Sequence, residues 1–182
     1  MGRDLEHTKH LLRQRLLRAR AAVPRDTAAR LAEAACARVI GLAAVAAAGV
    51  LVAYHPLGGE ADPRAVLSWA RRAGKRIYFP GDGGATPGFV PAEPDGPPLE
   101  DDAPGTVFLV PGVAFDARGA RLGRGRGWYD RALARHPRAV RIGLAFELQL
   151  VDAVPEAAWD ERVDAVATEA RLLVAPGKEL ST

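Results

Sequence analysis

Four short segments of almost unbroken apolar sequence constrain the fold of this chain more than any other feature. They lie at 49–54 (GVLVAY), 76–79 (RIYF), 106–110 (TVFLV) and 140–146 (VRIGLAF). Continuous apolar runs of this length are typical of strands that are buried on both faces of a sheet. Segments with helical patterning lie between several of these runs, and such alternation favours a parallel sheet. The sequence therefore predicts an α/β fold with a mostly parallel sheet.

The helices are predicted from apolar spacing and from signals at their ends. Leu5, Leu12 and Leu16 share one face of a predicted helix over 4–20, which stops before Pro24. The remaining predicted elements are a helix from a cap at Asp26 to about residue 40, a helix from Asp62-Pro63 to a stop at Gly74, a short helix over 127–135 and a last strand over 163–167.

Composition and length set the class of protein. The chain has 182 residues, 48% of them apolar and 26% charged, which excludes wholesale disorder and fits one domain over 1–182. Residues 81–105 hold six prolines and six glycines and are expected to form a loop too short to separate two domains. The longest stretch without a charge or a histidine, 39–54, has 16 residues and is too short for a comfortable membrane span. No signal peptide is recognised, so we expect a cytoplasmic protein without a membrane partner. No obvious apolar edge suggests an oligomer, so we also expect a monomer.

Cysteine and histidine usage narrows the chemistry. The single cysteine, Cys36, excludes an intramolecular disulfide and is expected to be a small buried residue. The four histidines are scattered without zinc spacing. A catalytic zinc site is therefore not expected, whereas a Mg²⁺ site built from oxygen ligands is compatible with the sequence.

Positive charge is concentrated in two stretches. Residues 118–141 contain eight arginines against one acid, Asp130, and residues 1–30 contain eight Lys/Arg against three acids. A third stretch, 147–169, carries seven acids. Folding can bring the basic stretches together in one anion-binding cleft, whose ligands would be the phosphates of a nucleotide or of a nucleic acid.

The stretch 111–131 (PGVAFDARGARLGRGRGWYDR) is the most informative part of the chain. It follows a predicted buried strand and precedes a predicted helix, so it lies at the edge of the sheet where ligands bind in open α/β folds. Three glycines alternate with Arg124 and Arg126, and such a loop lets backbone N–H groups approach an anion closely. The loop is neither a Walker A sequence nor a dinucleotide-binding fingerprint, because Trp128 stands at the position of the last glycine.

This stretch resembles the signature of the 5-formyltetrahydrofolate cyclo-ligase (methenyltetrahydrofolate synthetase) family, approximately PGxxFDxxGxRLGxGxGYYD. Further motifs of that family are matched in order along the chain: KxxLR at 9–13, GE at 59–60, GKxxxxP at 74–80, EP at 93–94, LAFxxQxxxxxP at 144–155 and DxxVDxxxTE at 160–169. Between Pro80 and Glu93 the chain is shorter than is typical of the family.

The resemblance implies a fold and an activity. The implied fold is a single three-layer α/β/α domain of the NagB/RpiA/CoA-transferase-like type. The implied reaction uses ATP and Mg²⁺ to close 5-formyltetrahydrofolate to 5,10-methenyltetrahydrofolate, with release of ADP and phosphate. A reduced folate and ATP are then the expected partners.

The resemblance also implies site residues, by matched position. The ATP-binding set is Lys9, Arg13, Arg121, Gly123, Arg124, Gly125, Arg126, Gly127, Trp128 and Tyr129, with catalytic roles for Arg124, Arg126 and Tyr129. Asp130 and Asp160 match the Mg²⁺ ligands, and His55, Glu60 and Trp128 match the folate-contacting positions. Arg126 stands where the family usually has lysine, and Trp128 stands for the first tyrosine of YYD. Asp116 is expected to form a turn closed by Gly119 rather than to touch the metal or the phosphates.

Several alternatives stay open at this point. Lys9 and Arg13 could form a solvated basic face, Asp130 an ordinary salt bridge, Asp160 a helix cap and Glu60 a charge near a helix N-terminus. The protein could also be a family paralogue that keeps the nucleotide cleft but has another substrate or none. A nucleic-acid-binding module is less favoured, because aromatic residues make up only 6% of the chain and form no stacking platform.

Overall fold

The computed structural model describes residues 2–81 and 87–180. Its main sheet has seven strands in the order β3-β2-β1-β4-β7-β8-β9. The strands are β1 Val50–Val52, β2 Arg76–Pro80, β3 Phe89–Pro91, β4 Thr106–Val110, β7 Val140–Leu144, β8 Ala165–Ala167 and β9 Leu172–Val174. A separate hairpin pairs β5 Ala114–Phe115 with β6 Arg121–Leu122. The five inner strands, β2, β1, β4, β7 and β8, run parallel to one another, and the edge strands β3 and β9 are antiparallel to their neighbours. The prediction of a mostly parallel sheet is therefore confirmed.

Helices and loops cover both faces of the sheet. The helices are α1 Gly2–Ala21, α2 Arg25–Ile40, α3 Ala43–Ala47, α4 Arg64–Arg72 and α5 Trp128–Ala134, and a 3-10 turn spans Glu147–Gln149. One hydrophobic cluster packs α2, α3 and α4 against one face of the sheet. A second cluster joins the opposite face to Phe115 and to Leu133 of α5. Alternate residues of β4 belong to opposite clusters, Val107 and Leu109 to the first and Phe108 and Val110 to the second, as expected for a strand buried on both faces.

The strand order places a cleft at the centre of the sheet. From β1 the chain passes to β2 on one side, and β4 lies on the other side of β1. The loops that follow β1 and β4 therefore diverge at a topological switch point, where open α/β sheets bind their ligands. Helix α1 lies at this edge, where it contacts β5 and the 3-10 turn.

Two details of the predicted helices differ from the structure. Pro24 occupies the N-cap of α2, so Asp26 lies in the first turn instead of capping the helix. Pro63 is the N-cap of α4, and Asp62 accepts a hydrogen bond from the Arg64 N–H at 2.9 Å, so that helix begins one residue later than expected. Gly74 follows the C-cap with a φ of 68°, which agrees with the predicted stop.

The loop predicted over 81–105 contains a strand. Residues 89–91 pair with β2 in the register Tyr78↔Pro91 and Pro80↔Phe89. Proline is tolerated there because an edge strand has one side free of ladder hydrogen bonds. Local composition could not show this pairing, and the small elements α3, β5, β6 and β9 were also missed. Within the described residues, none of the helices has the length and apolarity needed to cross a bilayer.

Candidate functional site

A cleft of about 840 Å³ opens at the carboxyl ends of the central strands. Its walls are α1, the loop after β1, the loop after β4, the segment from β6 into α5, and residues 159–160. Every residue predicted for the site lies on these walls: Lys9, Arg13, His55, Glu60, Arg121, Gly123, Arg124, Gly125, Arg126, Gly127, Trp128, Tyr129, Asp130 and Asp160. The fold therefore brings together residues that are far apart in sequence.

The glycine-rich loop links β6 to α5 and is fastened to α1. Gly125 and Gly127 have φ values of 96° and 59°, a backbone region that glycine adopts readily and other residues rarely. The Arg13 Nε donates to the Gly123 carbonyl at 2.9 Å. The arginine predicted for ATP contact therefore also holds the first residue of the loop in place.

Three ion pairs lie among the residues that line the cleft. Lys9 Nζ lies 2.5 Å from Asp160 Oδ2, Arg121 Nη2 lies 2.7 Å from Asp130 Oδ1, and Arg124 Nε lies 3.1 Å from Glu60 Oε1. Each pair joins a residue predicted for ATP to a residue predicted for the metal or for the folate. Positive and negative groups of the site thus neutralise one another when no ligand is bound.

Two arginines of the cleft carry uncompensated charge. In the part of the chain that the structure describes, neither Arg13 nor Arg126 has an acidic partner. Arg126 is an exposed residue of the glycine-rich loop. Forked guanidinium groups of this kind bind phosphate oxygens well.

Two carboxylates of the cleft are candidates for a metal site. Asp130 Oδ1 accepts from the Glu161 backbone N–H at 3.3 Å, and Asp160 Oδ2 accepts from the Ala157 N–H at 2.7 Å. Because Glu161 directly follows Asp160, the two carboxylates lie on the same wall. Residues 2–81 and 87–180 contain no cluster of three or more His, Cys, Asp or Glu side chains able to hold a metal. The donor set fits Mg²⁺, which commonly binds one or two carboxylates together with substrate phosphates.

The other side of the cleft is aromatic. The His55 ring stacks on Phe79 with centroids 4.3 Å apart and an angle of 15° between the rings. Trp128 meets Phe89 of β3 edge-on at 5.4 Å. The shortened segment before Glu93 therefore still supplies an aromatic contact to Trp128.

Tyr129 is a neutral phenol under ordinary conditions. Burial raises its pKa well above the usual value, although the nearby Arg121 guanidinium opposes the shift. That guanidinium lies 5.6 Å from the centre of the ring. A half-buried, protonated phenol at this position can donate a hydrogen bond to an anionic ligand.

The structure adds residues that sequence reasoning did not select. Leu57 and Trp159 line the rim of the cleft with exposures of 59% and 75%. Arg20 lies behind Glu60 with its side chain only 1% exposed. A signal for Arg20 was present, since it follows Arg13 by seven residues and so lies on the same face of α1.

Asp116 has the structural role that was expected of it. It lies outside the cleft lining, and its carbonyl accepts from the Gly119 N–H at 3.0 Å to close the turn. Its buried carboxylate accepts from the backbone N–H groups of Arg118, Ala120 and Val154. Burial alone would raise the pKa of Asp116, but these hydrogen bonds and the Arg118 side chain outweigh it, so the pKa lies below its usual value of 3.8.

This shift predicts a pH-dependent contribution to stability. Because the folded pKa lies below the unfolded value, the carboxylate stabilises the fold above about pH 4 and loses that effect as the pH falls through the folded pKa. Asp116→Asn should cost about 1–3 kcal/mol of unfolding free energy at pH 7, and less in stronger acid. Thermal melts of both proteins from pH 7 to pH 2.5 test this, with exposed Asp95→Asn as control. A difference in Tm that is the same at every pH would contradict the assignment.

The fold and the cleft define a class of α/β protein with a charged glycine-rich loop and aromatic side chains at the carboxyl edge of its sheet, the edge at which open α/β folds bind ligands. A model of the 5-formyltetrahydrofolate cyclo-ligase family matches residues 5–88 and 85–169. The chain belongs to the 5-formyltetrahydrofolate cyclo-ligase family and is an enzyme of the ligase class.

Individual relatives agree with the family match. A 5-formyltetrahydrofolate cyclo-ligase of Escherichia coli K12 is 30% identical, covering 89% of this chain and 98% of that protein. One from Mycolicibacterium smegmatis is 33% identical, covering 92% and 97%. The NMR structure of Aquifex aeolicus 5,10-methenyltetrahydrofolate synthetase superposes with a TM-score of 0.80 at 28% identity, over 96% of each chain. A Mycoplasma pneumoniae synthetase shares the fold, with a TM-score of 0.77 at 23% identity over 88% of this chain and 98% of that one.

Proposed function

We propose that this protein uses ATP and Mg²⁺ to cyclise 5-formyltetrahydrofolate to 5,10-methenyltetrahydrofolate, with release of ADP and phosphate. The observation that carries the proposal is the direct contact between Arg124 of the phosphate-type loop and Glu60 of the opposite wall. This contact supports an ATP-binding half-site and a folate-binding half-site that lie side by side, as a transfer from ATP to a second substrate requires. The names of the E. coli, M. smegmatis and A. aeolicus relatives support the same reaction.

The phosphate half-site would be formed by α1 and the glycine-rich loop. The charge of the triphosphate would be neutralised from two sides. Helix α1 would contribute Lys9 and Arg13, and the segment from β6 into the loop would contribute Arg121, Arg124 and Arg126. Gly123, Gly125 and Gly127 would let backbone N–H groups approach the phosphate oxygens. Tyr129 would donate its phenolic proton in a hydrogen bond, and Trp128 would contact the nucleotide from the aromatic side.

Asp130 and Asp160 would hold Mg²⁺ against the phosphates. Both carboxylates are now paired with cations, Arg121 and Lys9. Metal binding would replace these pairs and free both cations to face the phosphate oxygens. When bound, Mg²⁺ would neutralise phosphate charge that develops as ADP departs.

The folate half-site would be formed by Glu60, His55 and Trp128. The Glu60 carboxylate suits the N–H donors of a pterin ring, and it is oriented by the Leu57 N–H, which donates to its Oε2 at 3.0 Å. His55 is fixed by its stack on Phe79 and offers a flat surface to the ring.

The formyl oxygen is of the amide type and is a poor leaving group, so the reaction first phosphorylates it. The formyl oxygen attacks the γ-phosphorus, the bond to ADP breaks, and an imidate phosphate results. N10 of the folate then attacks the formyl carbon, its proton is released, and phosphate leaves with the former formyl oxygen. Arg124 and Arg126 would stabilise the transferred phosphoryl group in both steps.

An absorbance assay for the methenyl product tests this function. Purified protein is mixed with 5-formyltetrahydrofolate and MgATP, with parallel reactions that lack ATP or contain a chelator. We expect the methenyl band to grow only when both ATP and Mg²⁺ are present. If no product forms but MgATP still raises the Tm, the protein is a paralogue with another substrate. The monomeric state and the cytoplasmic location stay predictions from the sequence.

Arg126→Ala should weaken the nucleotide half-site selectively. Since Arg126 has no acidic partner in the described chain, its loss disrupts no ion pair, and the fold should be unaffected. We expect the KM for ATP to rise roughly 10- to 100-fold, the effect of losing a charge-assisted contact of about 1.5–3 kcal/mol, with little change in the KM for folate. Exposed Arg15→Ala serves as the matched control. An equal rise in both KM values would argue against a phosphate contact.

A further inference from the structure

A buried arginine lies beneath the folate half-site. Arg20, in the last turn of α1, is among the largest fully buried side chains of the described chain. Its Nη1 donates to the Gly112 carbonyl after β4, and its Nη2 donates to the Gly58 carbonyl after β1, both at 3.1 Å. The same Nη2 lies 3.9 Å from Glu60 Oε1. One guanidinium thus connects both loops of the switch point to the carboxylate between them.

The burial of Arg20 carries a cost in desolvation. Burial lowers the pKa of Arg20, although the Glu60 carboxylate opposes the shift. Among the described residues, its Nε has no hydrogen-bond partner. Apolar side chains of similar volume often replace buried ion pairs with no loss of stability, or with a gain. A charge kept here at a cost in desolvation points to a role in the adjoining cleft.

The loop after β1 is shaped around the guanidinium. Gly58 and Gly59 have φ values of 56° and 77°, which turn the Gly58 carbonyl towards Arg20 and bring the Glu60 side chain back to the same group. The Glu60 side chain is 7% exposed and lies between Arg20 on its inner side and Arg124 on its outer side. Besides the Leu57 N–H, two arginines with different freedom therefore hold this carboxylate.

We propose that Arg20 is a positioning residue that keeps the Glu60 carboxylate in place for the folate throughout the reaction. This inference rests on the proposed function, in which Glu60 contacts the folate ring. The Arg124 side chain is 43% exposed and can turn from Glu60 to the phosphates of ATP. The Arg20 side chain is 1% exposed and cannot move in this way. When Arg124 leaves, Arg20 is the cation that stays beside Glu60.

A double-mutant cycle separates this role from a general structural one. The proteins are wild type, Arg20→Met, Glu60→Gln and the double variant, with exposed Arg18→Met on the same helix as control. For each, the KM for folate, the KM for ATP and the Tm are measured with the methenyl assay. We expect Arg20→Met to raise the KM for folate roughly 10- to 100-fold, the usual effect of removing a partner that orients a binding group. The KM for ATP should change little, whereas the Tm should fall, because the Gly58 and Gly112 carbonyls lose their donor.

The interaction between the two substitutions gives the decisive result. If Arg20 acts through Glu60, adding Arg20→Met to Glu60→Gln raises the KM for folate no further, because coupled residues are not additive. Fully additive effects, or equal rises in both KM values, would overturn the proposal. If Arg20→Met does not fold, Arg20→Lys gives the same comparison with the charge retained. If the wild type forms no product, the proposed function is refuted. If the wild type is active and Arg20→Met behaves like Arg18→Met, only this inference is refuted.

Discussion

Asp130→Asn should lower the kcat of methenyl formation by roughly 100- to 1,000-fold, the range typical of losing one group that stabilises transition-state charge. Asparagine has the shape of aspartate, and its Oδ1 can still accept from Arg121 Nη2 and from the Glu161 N–H, which donate to Asp130 in the wild type. It lacks the negative charge that would bind Mg²⁺. The fold should therefore persist while turnover is lost.

The loss should depend on the metal. Raising the Mg²⁺ concentration should recover part of the activity of Asp130→Asn, since a weakened site needs more metal to fill. A small drop in Tm is also expected, because the Arg121 side chain, only 3% exposed, loses its counter-charge. Exposed Asp152→Asn is the matched control, with kinetics and Tm like wild type. Full activity in Asp130→Asn at low Mg²⁺ would remove Asp130 from the metal site.

Gly119→Ala should be the most destabilising single substitution proposed for this chain. Gly119 has a φ of 79°, and a Cβ there would lie 2.1 Å from the Val163 carbonyl oxygen. The Val163 N–H also donates to the Gly119 carbonyl at 2.8 Å, so the two segments cannot separate without losing that bond. We expect a loss of about 4 kcal/mol or more in unfolding free energy, which places it among exceptional substitutions.

Gly177→Ala provides a control with nearly the same backbone. Gly177 has a φ of 77° and no heavy atom within 4 Å of the added Cβ. Its replacement should cost only the left-handed backbone penalty of about 1–2 kcal/mol. Urea denaturation of both variants isolates the steric clash as the difference between them. Similar losses in the two variants would show that the 118–120 turn moves aside to accept a side chain.

The ion pairs explain how a cleft with so many charges is compatible with a stable fold. Lys9 is 4% exposed and Arg121 is 5% exposed, and unpaired charges at such depth would be costly. Each lies against a carboxylate that the proposed reaction also needs. Ligand binding would then exchange partners, carboxylates to the metal and cations to the phosphates, without leaving a buried charge uncompensated.

Local sequence determined the central strands and the longer helices, and it predicted the chemistry of the loop. The apolar runs at 106–110 and 140–146 predicted strands because burial on both faces requires continuous apolar sequence. The alternation of glycine with arginine over 123–127 predicted a phosphate-type loop. Glycine lets the backbone N–H groups approach an anion closely, and arginine supplies positive charge. Motif order along the chain was enough to predict the family, which the family model confirmed.

Tertiary structure decided which charges meet. Lys9 and Asp160 are separated by 151 positions, and no local pattern indicates that they pair. Arg20 could not be told from the exposed Arg18 by residue type, yet one is buried against Glu60 and the other faces solvent. The edge strand β3 was hidden in a proline-rich segment because its partner, β2, lies outside it. The spacing of residue types sets the local conformation of each element. Contacts between distant residues are set by the order of the strands, in which β1 lies between β2 and β4, and that order depends on the whole sheet.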